Sequence, residues 1–242
     1  MVEFFADSLT AGYLKSSGMG KGIVLVQIAM SLVMWTFIIG KFRELREVWK
    51  VTRRVDYDLK HNSRVLDYYL SRKDSCNTPL ENIYKKICER VLGLMPATVR
   101  QQVISRTAEG PVTLTKYQIG LVDTLAESVL DTESLQLAYG MGVVKTVVAL
   151  GPMLGLLGTV WGVLDAFADM GNAGSATIAT MAPAISSALV TTVVGLLVAI
   201  PGAAMHTVLL GSLRKLSAQI EGIVSECVER IHLEYQGPGG AA

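Results

Sequence analysis

Cysteine and histidine are scarce, three of each among 242 residues, and their scatter excludes more than their number does. Cys76, Cys88 and Cys227 have no CxxC spacing and no matching histidine pair, so the sequence indicates neither a disulfide framework nor a zinc site. His61, His206 and His232 fall in different segments, and the HExxH and GxSxG patterns are both missing. GMGKG at 18–22 is not a phosphate loop, because Gly22 stands where Ser or Thr should follow the lysine and Lys15 stands where the first glycine should be. Without a catalytic constellation, the sequence gives no expectation of an enzyme, a cofactor or a bound metal. A surplus of one charge is also missing. With 22 basic and 21 acidic residues the net charge is +1, too small to suggest a nucleic-acid partner. Strand-like alternation of useful length, internal repeats and low-complexity linkers do not occur.

What the sequence does have is long stretches without charge. Between Lys21 and Lys41 run nineteen uncharged residues, GIVLVQIAMSLVMWTFIIG, enough as a helix to cross roughly 30 Å of hydrocarbon. A second run of nineteen lies between Lys145 and Asp165, and a third, from Gly171 to Leu213, holds only His206 as an ionisable group. The break between the second and third falls at DMGNAGSAT. Glu3 and Asp7 precede the first run and no small-residue cleavage site closes a shorter apolar core, so it reads as a retained anchor. Lys41, Arg43, Arg46, Lys50, Arg53, Arg54 and Lys60 follow the first span, Arg214 and Lys215 follow the third, and the connection between spans two and three has no basic residue. By the positive-inside rule the amino terminus and that short connection face outward. The resulting expectation is an outer segment 1–21, spans at 22–40, 142–165 and 182–206, an outer loop 166–181, a cytoplasmic helical region 41–141 and a cytoplasmic tail 207–242.

The cytoplasmic region reads as helix. Phe42, Leu45, Trp49, Val55, Leu59, Leu66 and Leu70 recur at broadly helical intervals among charges, continuing the first span inward until DSCNTP at 74–79. A shorter helical run reaches Leu92, GLMP interrupts it, and after EGP at 109–111 an amphipathic segment from Leu114 leads without an obvious stop into the second span. Beyond the third span, Leu213, Leu216, Ile220, Ile223, Cys227 and Ile231 form a heptad-like stripe before the GPGGAA end.

The second and third spans carry a further pattern. Gly151, Gly155, Gly158 and Gly162 fall near one helical face, as two GxxxG patterns that permit close helix approach. Thr159 lies on the same stripe, and its hydroxyl is expected to bond the carbonyl of residue 155. In the third span Ala184, Ala188, Thr192, Gly195, Ala199 and Gly202 form a matching stripe, with Ser186, Ser187 and Thr191 beside it and Pro183 and Pro201 freeing backbone carbonyls. Such small, weakly polar surfaces suit either tight helix packing or a hydrated path. Neither span has Asp, Glu or His in its core, so ion transfer through them needs a carboxylate from another chain. His206 sits where an interfacial role is expected, and Asp165 with Asp169 forms a candidate outer entrance for cations, or simply a pair of solvated carboxylates.

PMLGLLGTVWGVLDAF followed by MAPAISSALVTTVVGLLVAIPG closely resembles the two pore-helix motifs of the ExbB/TolQ/MotA proteins, ion-driven motor subunits of bacterial inner membranes, and leans to the ExbB/TolQ branch. The resemblance covers about residues 140–210, and the three-span plan extends it along the chain. It implies an all-α integral membrane protein with three transmembrane helices and long cytoplasmic helical extensions, its amino terminus periplasmic, assembled as a homopentameric ring. It implies as partners a dimer of a single-span ExbD/TolR-like protein bearing a membrane aspartate, and an envelope transducer of TonB or TolA type. The transported ion is then H+, with Na+ the alternative. The family's two threonines fall on Thr159 and Thr192, which with Ser187 would line the ion path. Gly151, Gly155, Gly158, Gly162 and Gly195 would pack the helices. Ser187 stands where ExbB and TolQ usually carry glutamate, which leaves the subfamily and the coupling ion open. A non-conducting membrane scaffold is the competing reading.

Overall fold

The computed structural model describes Thr10, Tyr13 and residues 18–61, 65–71, 78–105, 113–173 and 178–235, with the side chains of 67, 68, 71 and 172–180 excepted. Among these residues the chain is helical: α1 Gly18–His61, α2 Val65–Ser71, α3 Pro79–Leu94, α4 Ala97–Ile104, α5 Lys116–Ala138, α6 Met141–Ala173 and α7 Ile178–Tyr235. GMGKG is thus the first turn of α1. Three of the helices, α1, α6 and α7, are long and apolar enough to cross a membrane, so among the described residues the helical architecture fits an integral membrane protein. Cys76, the DSCN part of the break at 74–79, EGP at 109–111, residues 174–177 and the GPGGAA end lie outside the described residues.

Two compact units divide the chain, one built from residues 1–42 and 140–210, the other from 43–139 and 211–242. In the first, α1 buries Ile23, Gln27, Met34 and Ile38, residues at spacings of four, seven and four that share one helical face. On the opposite faces Leu25, Leu32 and Ile39 of α1, Leu156, Val160 and Leu164 of α6, and Leu189 and Ile200 of α7 stay exposed. That is the pattern of helices solvated by lipid or by other chains rather than by water.

The second unit is built as a water-soluble helical body is, around an apolar core. The stripe expected after the third span is its spine: Leu213, Leu216, Ile220, Ile223, Cys227 and Ile231 of α7 are all buried. Leu45, Val55 and Leu66 are buried as well, joined by Ile83, Ile87 and Val91 of α3 and by Ile119, Val122 and Val129 of α5. Full burial of each large aliphatic side chain here is worth about 1.5–3 kcal/mol. Phe42 departs from that stripe and is exposed. Polar ties fix the register. Lys86 of α3 meets the buried carboxylate of Glu133 on α5 at 3.5 Å, and His232 of α7 meets Asp123 of α5 at 2.8 Å. The guanidinium of Arg230 donates to the Leu59 carbonyl at 2.8 Å, the Tyr84 hydroxyl donates to the Val65 carbonyl, and the Leu114 N–H donates to the Tyr235 carbonyl at 2.8 Å.

The run from Leu114 into the second span is not one helix. α5 starts with a capping box, Thr115 and Gln118 each receiving the other's backbone N–H, and it ends at Ala138. Gly140 then adopts a φ of 85° before α6 begins at Met141. A left-handed glycine just past a helix end satisfies terminal carbonyls that a continuous helix would have kept paired, and here it supplies the missing stop. α6 in turn runs on through residues 166–173, within the stretch expected as an outer loop.

Candidate functional site

The site is the line along which α6 meets α7, and the glycines set its spacing. A methyl group added at Gly155 would stand 2.8 Å from the Thr192 Cα and 3.1 Å from the Thr191 carbonyl oxygen. At Gly162 it would stand 2.5 Å from the Ala188 methyl, at Gly151 3.2 Å from the Gly195 carbonyl oxygen, and at Gly158 it would overlap the Thr191 side chain. Gly195 and Gly151 face each other, since a methyl at Gly195 would lie 2.5 Å from the Gly151 carbonyl oxygen. At Gly155, Gly158, Gly162 and Gly195 a methyl would force its neighbours to move, and at Gly151 it would be a tight fit. Two helix backbones at this distance gain dispersion energy and close carbonyl contacts that leucines would forbid, which in lipid replaces the hydrophobic drive of water.

Hydroxyls sit on the same line. Thr191 and Thr192 of α7 both donate to the Gly155 carbonyl of α6, at 3.1 and 2.9 Å. Thr191 also lies 2.7 Å from the carbonyl of Ala188 in its own helix, so its single proton is shared between two acceptors. In the α6 ladder the same Gly155 carbonyl is the i−4 acceptor for the N–H of Thr159, so three groups converge on one oxygen.

The expected site residues divide. Thr192 is half-buried and reaches across to α6. Thr159 lies on α6, yet its hydroxyl donates to Leu156, at 2.8 Å, and not to residue 155 as expected; the carbonyl at 155 is taken by the two α7 threonines. Ser187 is buried and donates to the Ala184 carbonyl one turn back, at 2.8 Å. Thr191, expected only beside the stripe, is the residue at its centre, 1% exposed. Asp165 and Asp169 stand one turn apart on continuous helix, Asp165 half-buried and Asp169 exposed. No cluster of His, Cys, Asp or Glu among the described residues could hold a metal ion.

One participant gave no sequence signal strong enough to single it out. Gln27 of α1 is buried, and its amide nitrogen donates to the carbonyls of Gly151 on α6 and Thr191 on α7, at 3.2 and 3.3 Å. Its only trace in the sequence is that it is the one carboxamide in the uncharged run of the first span.

The comparisons with known proteins agree with this architecture. The family described as the MotA/TolQ/ExbB proton channel family matches residues 98–222, from α4 into α7. The chain is 24% identical over 234 residues to the biopolymer transport protein ExbB of Pseudomonas putida, covering 96% of this chain and 66% of that protein. It is 27% identical over 192 residues to the Tol-Pal system protein TolQ of Haemophilus influenzae, covering 78% of each. Against ExbB of Xanthomonas campestris pv. campestris the identity is 44%, over 80 residues that make up 33% of this chain and 32% of the relative. The chain thus spans just under two thirds of the length of the Pseudomonas relative and about a third of the Xanthomonas one. With the family match extending over more than half of its residues, and with helices α6 and α7 carrying the small-residue pattern, the chain belongs to the MotA/TolQ/ExbB proton channel family.

Proposed function

We propose that this chain is a ring subunit of an ion-driven motor of the bacterial inner membrane, one that couples H+ or Na+ flow to mechanical work on an envelope partner. In this reading five copies surround a dimer of a single-span ExbD/TolR-like protein, and a TonB- or TolA-like transducer carries the force onward. The amino terminus and residues 166–181 lie on the periplasmic side, while 41–141 and 207–242 lie in the cytoplasm. Family membership supports the transport class over any enzymatic one.

The observation that carries the reading is the α6–α7 line. It gathers hydroxyls and a shared carbonyl without an acid or histidine in the core of either span, so the mobile ion meets polarity but no fixed charge that would hold it. A partner aspartate then supplies the titrating group. Thr159, Thr192 and Ser187 are the proposed path residues, Gly151, Gly155, Gly158, Gly162 and Gly195 the packing residues, and Asp165 with Asp169 the periplasmic entrance. Ser187 brings no carboxylate of its own, which leaves Na+ beside H+ as the coupling ion.

One specific observation favours the scaffold reading: the Thr191 and Thr192 protons are already spent on backbone carbonyls, as in ordinary helix packing. Thr159→Val and Thr192→Val separate the two. Co-expressed with the single-span partner, both variants are expected to assemble, since Thr192→Val loses one interhelical hydroxyl bond worth about 0.6 kcal/mol in lipid and Thr159→Val loses only a bond within α6. Ion-dependent activity is expected to fall in both, because each removes a polar group from the path. Wild-type activity in both assembled variants would leave the scaffold as the better account.

A further inference from the structure

A buried carboxamide with a full donor side and an empty acceptor side needs a reason. Gln27 is 1% exposed, its nitrogen serves Gly151 on α6 and Thr191 on α7, and its oxygen Oε1 has no donor among the described residues. A leucine or methionine of similar length would fill the same space without leaving a polar atom unpaired, so packing alone favours replacing it. Placement supplies what packing does not. A methyl at Gly195 would stand 2.9 Å from the Gln27 nitrogen and 2.5 Å from the Gly151 carbonyl oxygen, so the amide lies in the notch where the two glycines cross. It reaches the backbone of Thr191, whose hydroxyl reaches Gly155 one turn from Gly151.

We infer that Gln27 is a positioning residue for the ion path: from α1 it ties α6 to α7 at the Gly151–Gly195 crossing, and so fixes where Thr191 and Thr192 present their hydroxyls. Only the functional consequence rests on the motor reading. Each of the two carbonyls also accepts an N–H from its own helical ladder, so the amide uses their second lone pairs. A donor is required there, because two carbonyl oxygens face it, and burial between apolar helices favours an uncharged one. None of the groups that meet the amide from α6 or α7 is titratable, and the nearest titratable side chains along the three helices are Lys21 on α1, Lys145 on α6 and His206 on α7.

The test uses the assembled complex of this chain with its single-span partner in liposomes, comparing wild type, Gln27→Leu and Gln27→Glu. Hydrogen exchange over residues 148–158 and 188–198 reads the tie itself, and ion-dependent activity reads its consequence. Gln27→Leu is expected to exchange roughly three to ten times faster in both segments and to lose activity by a similar factor, the range of one interhelical polar tie in lipid. In Gln27→Glu an ionised carboxylate would oppose two carbonyl oxygens, whereas the protonated acid can donate to one of them. Its activity should therefore rise as pH is lowered through the raised range of a buried carboxyl, from about pH 9 to about pH 7, over and above any change in wild type. Unchanged exchange in Gln27→Leu, or a wild-type pH profile in Gln27→Glu, overturns the inference. Should Gln27→Leu fail to assemble, the Gln27→Glu profile decides alone. Should wild type show no ion-dependent activity, the motor reading falls while the exchange rates still decide the tie.

Discussion

A single methyl group is the smallest perturbation that distinguishes one glycine of this chain from another. At Gly155 it would press on the Cα and carbonyl of α7, atoms that yield only if the helix moves. Gly155→Ala is expected to cost about 1–3 kcal/mol, the usual range of overpacking, seen as a lower melting temperature of the purified protein. Gly171→Ala, with nothing within 4 Å, should leave it unchanged. The thiols of the second unit give a different prediction at this scale. Burial pushes the Cys227 thiol up to about 12 and the Cys88 thiol well above its ordinary range. Both should resist alkylation at about pH 8 until the protein unfolds, because the thiolate is the nucleophile. The native state then binds more thiol protons than the unfolded one above the ordinary thiol range, so stability should fall as pH rises from about 9 to about 12. Cys227→Ala should flatten that decline in a pH series of thermal unfolding. Sequence made the glycine stripe legible because its spacing is local. It left Gln27 obscure, because one amide in an apolar run reads the same whether it faces lipid or two carbonyls 124 and 164 positions away. The acceptor of Thr159 was likewise settled by competition from α7, which no local rule contains.

Helix boundaries rest on cheaper chemistry than helix contacts do. Pro79 at the opening of α3 and the Thr115–Gln118 pair opening α5 are both visible as residue types in order. Thr115→Ala should cost about 1 kcal/mol, as lost N-caps do, measured by chemical unfolding of the second unit's helical signal in the intact chain. The stop at Gly140 is harder to see, since YGMG leads straight into apolar residues and a glycine within such a run is also common inside membrane helices. Its φ of 85° decides the matter. A side chain there would adopt the left-handed conformation at a cost of roughly 1–2 kcal/mol and press on the Phe37 ring at 3.1 Å. Gly140→Ala is therefore expected to lower the thermal stability of the detergent-solubilised protein, and more than the same change at Gly142, where space is open.

Within the first unit, α6 and α7 hold their small residues on one internal line and leave most of their large ones outside. Met153, Leu156, Val160 and Leu164 of α6 and Leu189, Leu196 and Ile200 of α7 are exposed within the single chain, so lipid or neighbouring copies must cover them. Within the two spans no acid or histidine lies between Met141 and Asp165 or between Ala182 and Met205. A proton crossing the bilayer centre needs a group that can take it up and release it, and bare hydroxyls with pKa values far above neutrality do neither. The chain alone, reconstituted in liposomes under a potential, is accordingly expected to carry no selective proton current. In the proposed reading, adding a single-span ExbD/TolR-like protein should produce an H+ or Na+ current, and changing that protein's membrane aspartate to asparagine should abolish it. A robust selective proton current from the chain by itself would mean that the ion path lies along different residues from the α6–α7 line.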